Sequence, residues 1–183
     1  MTRWAVYFDR DGVLTDAPVV DGQALSPTKT TELVILPGAL EAVTMVHGLG
    51  GLALVVTNQP DVARGTLDPA ELGRMHDRLN RELGLDGIRV CPHDGADRCR
   101  KPAPGMLLDL AEEHAVDLAR SYMIGDRWVD IAAGAAVGAT TILVDRPYSW
   151  SATSAGSPPA ELVPDHRARD VFAAVLIIEG LES

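Results

Sequence analysis

Four short apolar runs punctuate the chain: WAVYF (residues 4–8), LALVV (52–56), YMI (122–124) and TILV (141–144). Each is continuous rather than alternating, the pattern of strands buried on both faces of a parallel sheet. Between them, apolar residues recur at helical spacing. In DPAELGRMHDRLNRELG, Leu72, Met75, Leu79 and Leu83 share one face. Asp68 is the expected N-cap, Pro69 the first helical residue, Glu71 the partner of a capping box and Gly84 the stop. Further helices are expected over about 38–47, 104–115, 127–137 and 169–179. Strands alternating with helices predict an α/β fold, a Rossmann-like doubly wound parallel sheet. The segment 149–162, rich in Ser, Ala and Pro, reads as a surface loop before a last apolar helix within 167–181.

The residues after each run are polar. Asp9 and Asp11 follow the first, Thr57, Asn58 and Gln59 the second, Asp126 and Asp130 the third, and Asp145 the fourth. Open parallel sheets bind ligands beyond the carboxyl ends of their strands. At one strand end, Asp, Asn and Thr commonly serve as caps and turn formers. Repeated at several ends, they point to a site. Crowded carboxylates repel unless a cation lies between them, and a few hard oxygen ligands favour Mg²⁺. Asp9 and Asp11, two positions apart, lean the same way from an extended backbone. One can face metal and substrate while the other carries a proton. Gly12 lets the chain turn away where close approach is needed. Arg10 is expected to point to the opposite side from the two acids and to form a structural ion pair. A phosphoryl group suits this set: its transfer needs a nucleophile, in-line geometry and positive charge on the equatorial oxygens. A carboxylate can form an aspartyl phosphate. Lys101 offers a fixed positive charge, and Thr57 with the N–H groups after it can hold phosphate oxygens.

Length and charge narrow the partners. The 183 residues suggest a single domain. A net charge of −10 argues against a nucleic-acid partner, though a site can be locally positive within an acidic protein. No signal peptide or membrane span is legible, so the cytoplasm is the expected compartment. No dimer interface is legible, and a monomer is expected. The two cysteines, Cys91 and Cys99, read as a local site or free thiols rather than a disulfide framework. His47, His76, His114 and His166 read as solvated or structural, and Trp128 as a packing residue.

DRDGVL, TNQ, the Lys of RKP and GDRWVD occur in that order and resemble the four motifs of the haloacid dehalogenase (HAD) superfamily. The resemblance spans residues 4 to about 147. It implies Asp9 as nucleophile and Asp11 as general acid and then base. It implies Thr57 and Lys101 as the phosphoryl-orienting pair. Mg²⁺ would be held by Asp126, the Asp9 side chain and the Asp11 carbonyl, with Asp130 supporting Lys101 or the metal shell. The gaps between motifs are too short for a separate cap domain. TNQPDVARG, CPH and CRKPAPGM look like the heptose 1,7-bisphosphate 7-phosphatases, with the histidinol-phosphate phosphatases as close relatives. That implies a small phosphorylated metabolite, with a sugar bisphosphate first and histidinol phosphate as the alternative. A phosphate-binding module without catalysis would be expected to have a damaged first motif, and both its carboxylates are present. In these families a Cys-x-His and a Cys-x-Cys hold structural zinc. Here the matching set is Cys91, His93, Asp97 and Cys99, with Asp97 standing where a cysteine would fall. Asn58 and Gln59 fall in the substrate region of the second motif. Arg100, and after it Arg64, are candidates for a second anionic group, since a guanidinium grips phosphate bidentately. Arg127 stands where the heptose enzymes tend to have a lysine and is a candidate substrate contact. Substrate loops are expected within 17–34.

Overall fold

A computed structural model describes residues 3–183. β1 (Ala5–Phe8) leads into a small hairpin, β2 (Val19–Val20) and β3 (Gln23–Ala24). Then follow α1 (Ala39–Gly48), β4 (Leu52–Asn58), α2 (Pro69–Leu83), β5 (Gly87–Cys91) and α3 (Gly105–His114). The chain closes with β6 (Tyr122–Gly125), α4 (Trp128–Ala136), β7 (Thr140–Val144), β8 (His166–Ala168) and α5 (Val171–Glu182). Six parallel strands form one sheet in the order β5-β4-β1-β6-β7-β8. The α/β doubly wound expectation therefore holds. β1 and β6 lie at its centre, with Val6 opposite Ala53 on one side and Tyr122 on the other.

Alternation along β1 and β4 feeds two cores. Val6, Phe8 and Val55 pack with Val43, Met75 and Val175 beneath α1, α2 and α5. Tyr7, Leu54 and Val56 pack with Met106, Leu107 and Ala133 beneath α3 and α4. Both faces of the sheet are thus covered, which explains the unbroken apolar runs.

The differences from the sequence reading are local. β5 and β8 were not expected, because neither is a continuous apolar run: β5 is a half-buried edge strand carrying Arg89, and β8 is three residues long. The last helix starts at Val171, since 166–168 pair with β7 instead. Asp68 caps α2 by accepting from the Ala70 N–H at 2.9 Å, and Gly84 ends it at φ 72°. Glu71 does not complete the capping box. Its carboxylate accepts from the Thr30 N–H and from Arg74 instead. No helix among the described residues is long and apolar enough to cross a membrane.

Candidate active site

Parallel pairing brings the ends of β1, β4 and β6 to one edge, and a cavity of about 460 Å³ opens there. Asp9, Thr57, Lys101, Asp126 and Asp130 line it. Lys101 is the hub. Its ammonium lies 2.8 Å from Asp9 Oδ1 and 2.7 Å from Asp130 Oδ1, and donates to the Val56 carbonyl at 2.8 Å. Asn58 fixes the backbone that carries it: its amide donates to the Lys101 carbonyl and accepts from the Lys101 N–H, both at 3.1 Å. Asp130 Oδ2 accepts from the Arg127 N–H at 3.0 Å, which seats the first turn of α4.

The charges do not balance. Asp9, Asp126 and Asp130 offer oxygens within 4.8 Å of one another, all buried, against one lysine. Burial, with Asp130 and Asp11 nearby, raises the Asp9 pKa to about 6 despite Lys101. Burial, then Asp9 and Asp130, push Asp126 well above the usual carboxylate range. Burial alone would lower the Lys101 pKa, but Asp130 and Asp9 outweigh it and raise it. Asp126 Oδ1 is buried without a partner. A divalent cation among these oxygens satisfies both the excess charge and that orphaned atom, so the residues present fit Mg²⁺.

Asp11 is held differently. Burial pushes its pKa up, but Arg10 and hydrogen bonds outweigh that and hold it low. Arg10 donates to both of its oxygens, at 2.9 and 2.8 Å, Thr15 to Oδ1 at 3.0 Å and Gln59 to Oδ2 at 2.9 Å. Arg10 is wholly buried and also donates to His76 Nε2 at 3.1 Å. Its expected ion-pair role is present, but its expected direction is corrected: instead of pointing away from the acids it turns back onto Asp11. Gly12 has φ +86°, and a Cβ there would lie 2.1 Å from Asp126 Oδ2. What approaches it is a side chain of the site.

Several expected residues stand elsewhere. Gln59 is fully buried and bonds Asp11 and Thr57, so it supports the site from behind rather than facing a substrate. Asp145 leaves the edge and pairs with Arg167 at 2.6 Å. Cys91 and Cys99 are bonded as a disulfide, with Cα atoms 5.4 Å apart. This corrects the free-thiol expectation. The two sulfurs and an Asp97 oxygen lie within 4.8 Å of one another. His93 stands outside the group that Cys91, Cys99 and Asp97 form. The arginines reach the rim as expected: Arg64, Arg100 and Arg127 all line the cavity. Arg64 grips Asp94 at 2.9 and 2.5 Å. Arg100 donates to the His93 carbonyl at 2.6 Å and to Ser154 Oγ at 2.8 Å. Arg127 stacks 4.8 Å over the Tyr148 ring. Within 17–34, Ala17, Gly22, Ala24, Leu25 and Ser26 form one wall. Residues 151–155 line the same cavity, so the start of the supposed surface loop belongs to the site. Tyr148 and Ser154 were missed, because neither the short DRPY turn nor the Ser- and Ala-rich segment after it has a periodicity to show which way it faces.

The HAD-hydrolase-like family model matches residues 98–171. D-glycero-β-D-manno-heptose-1,7-bisphosphate 7-phosphatase of Bordetella bronchiseptica is 37% identical over 146 residues, covering 76% of this chain and 79% of that protein. D-glycero-α-D-manno-heptose-1,7-bisphosphate 7-phosphatase of Burkholderia mallei is 32% identical over 183 residues, covering 90% and 94%. The crystal structure of the D,D-heptose 1,7-bisphosphate phosphatase from B. bronchiseptica, complexed with magnesium and phosphate, superposes with a TM-score of 0.80 at 31% identity, covering 97% of this chain and 99% of that one.

Proposed function

This chain belongs to the haloacid dehalogenase-like phosphatases, and from that premise we propose that it removes the 7-phosphate from D-glycero-D-manno-heptose 1,7-bisphosphate. The observation that carries the reading is the buried Lys101 ammonium between Asp9 and Asp130, in one cavity with Arg64 and Arg100. The floor suits the phosphoryl group that reacts, and the rim suits a second anionic group on the same small molecule. Relatives named for both anomers of this substrate support the choice.

Asp9 Oδ1 is taken by Lys101, so its other oxygen attacks phosphorus. The bond from phosphorus to the sugar oxygen breaks, and that oxygen takes a proton from Asp11. Asp11 then takes a proton from water, whose oxygen attacks the aspartyl phosphate. The bond to Asp9 breaks, returning the carboxylate and releasing inorganic phosphate. Thr57 Oγ1 already accepts from Gln59 at 2.9 Å, which leaves its own proton for a phosphoryl oxygen. A bound phosphate dianion opposes the field of Arg10 at Asp11 and favours the protonated acid that the first step needs. Asp9, Asp126 and the Asp11 carbonyl would hold Mg²⁺, which supplies positive charge to the phosphoryl oxygens. Asp130 acts behind Lys101.

Phosphate release tests this reading. The substrates are both anomers of the heptose bisphosphate, hexose mono- and bisphosphates, and histidinol phosphate. Preference for the heptose bisphosphate is expected. Asp9→Asn should remain folded and lose roughly 10³-fold or more of the activity. Activity surviving that change would overturn Asp9 as nucleophile. Preference for histidinol phosphate would overturn the substrate and keep the chemistry. No release from any of them by folded protein would favour a phosphate-binding module.

A further inference from the structure

We propose that Tyr148 is a positioning residue for Asp126, fixing which carboxylate oxygen faces the metal. The inference rests on the reading of Asp126 as a Mg²⁺ ligand.

Residues 146–151 follow β7 and strap across the start of α4. Tyr148 Oη donates to Asp126 Oδ2 at 2.7 Å, and both side chains are buried. The next residue holds the same aspartate from the main chain: Ser149 Oγ donates to the Asp126 carbonyl at 2.6 Å. The Trp128 N–H donates to the Ser149 carbonyl at 2.9 Å, and Arg146 Nη2 donates to the Gly12 carbonyl at 3.1 Å. The strap is thus tied to the backbone on both sides of the carboxylate cluster. Arg127 lies over the phenol ring, 4.8 Å from its centroid.

The division of labour within Asp126 follows. One oxygen is occupied by the phenol. The other, Oδ1, is buried without a partner, and Asp126 offers one carboxylate oxygen to the group with Asp9 and Asp130. Rotation of the carboxylate would break the bond to Tyr148, so the hydroxyl locks Oδ1 toward the cation position. Gly12 leaves the room this requires. A Cβ at that position would lie 2.1 Å from Asp126 Oδ2 and 2.9 Å from Tyr148 Oη. The first motif therefore accommodates a residue that lies far outside the four motifs, on a segment with no recognisable pattern.

Tyr148→Phe keeps the ring and its stacking and removes only the donor. Mn²⁺ binding followed by electron paramagnetic resonance, and the upward thermal shift on adding Mg²⁺, both read metal affinity without substrate. Wild type, Tyr148→Phe and Asp126→Asn are compared, with melting in EDTA as the folding reference. Tyr148→Phe should bind both metals roughly tenfold more weakly, the scale of one hydrogen bond to a charged group. Its melting in EDTA should stay close to wild type. Wild-type affinity in Tyr148→Phe beside weakened Asp126→Asn would overturn the role of Tyr148 and leave the metal site standing. Wild-type affinity in Asp126→Asn would overturn the metal reading, and this proposal with it.

Discussion

Two charge clusters meet at the same cavity, one through Lys101, Asp9 and Asp130 and the other through Arg64. At its floor, Lys101 lies between Asp9 and Asp130, its own side chain 2% exposed. At its rim, Arg64 lies between Asp61 and Asp94, with Arg64 44% and Asp94 40% exposed. The pairings look alike, and their distances overlap. Water makes them different. Exposed pairs are screened and contribute about 0–1 kcal/mol, whereas a buried charge that loses its partner has no solvent to replace it. The floor is therefore a fixed apparatus, already oriented before a substrate arrives. The rim is exchangeable: Asp94 can release Arg64 to an incoming anion at little cost.

The largest effect expected from breaking this contrast is at Lys101. Lys101→Met removes the ammonium that pairs with buried Asp9 and Asp130. Phosphate release should fall roughly 10³-fold. Melting in EDTA at neutral pH should show a loss of about 3–5 kcal/mol. A variant as stable as wild type would show that water reaches the floor and compensates there.

The second effect is in pH. The Asp9 pKa is about 6 in the fold against 3.8 as an unperturbed group. The folded carboxyl thus binds more protons than the unfolded one across that window. Stability of the metal-free protein should fall as pH rises through it, by an amount of order 3 kcal/mol from Asp9. Asp126 is raised for the same reason and adds the same sign. His76 runs the other way: burial, then Arg10, lower its pKa from 6.5 to about 4, so its stabilisation is lost as pH falls through that range. A His76→Gln background separates the two. Chemical denaturation in EDTA should then show the falling slope, and saturating Mg²⁺ should flatten it. A slope that Mg²⁺ leaves unchanged would exclude these carboxylates as its source.

The smallest effect in stability is at the rim. Arg64→Ala should change the folding free energy by less than about 0.5 kcal/mol. It should raise KM for a sugar bisphosphate a few-fold while leaving KM for a monophosphate unchanged. Equal loss on both substrates would remove Arg64 from any second anion site.

Much of the site was legible before any fold was seen. Asp9, Thr57, Lys101 and Asp126 each stand just beyond an apolar run or in a recognisable short motif, and all meet in one cavity. Gln59 stands in such a motif too, yet its side chain turns inward to Asp11 and Thr57. Spacing placed it at the correct strand end and was silent on its direction. The cysteines illustrate a different gap. Ligand spacing suggested zinc, but whether two sulfurs meet each other or a metal depends on the path of the loop between them.

The amino-acid order by itself determined the alternation of strands and helices, the strand ends at which chemistry gathers, and the identity of the acid and lysine groups. These follow from burial periodicity and short-range backbone geometry, which act over a few residues. Only the tertiary structure decided that Arg10 turns back on Asp11, that Asp145 leaves the edge for Arg167, and that Tyr148 closes over Asp126. Each outcome rests on a side chain's direction and on which segment packs above it. Such contacts are set by the competition for buried hydrogen-bond partners once the core has formed, and no local pattern encodes them.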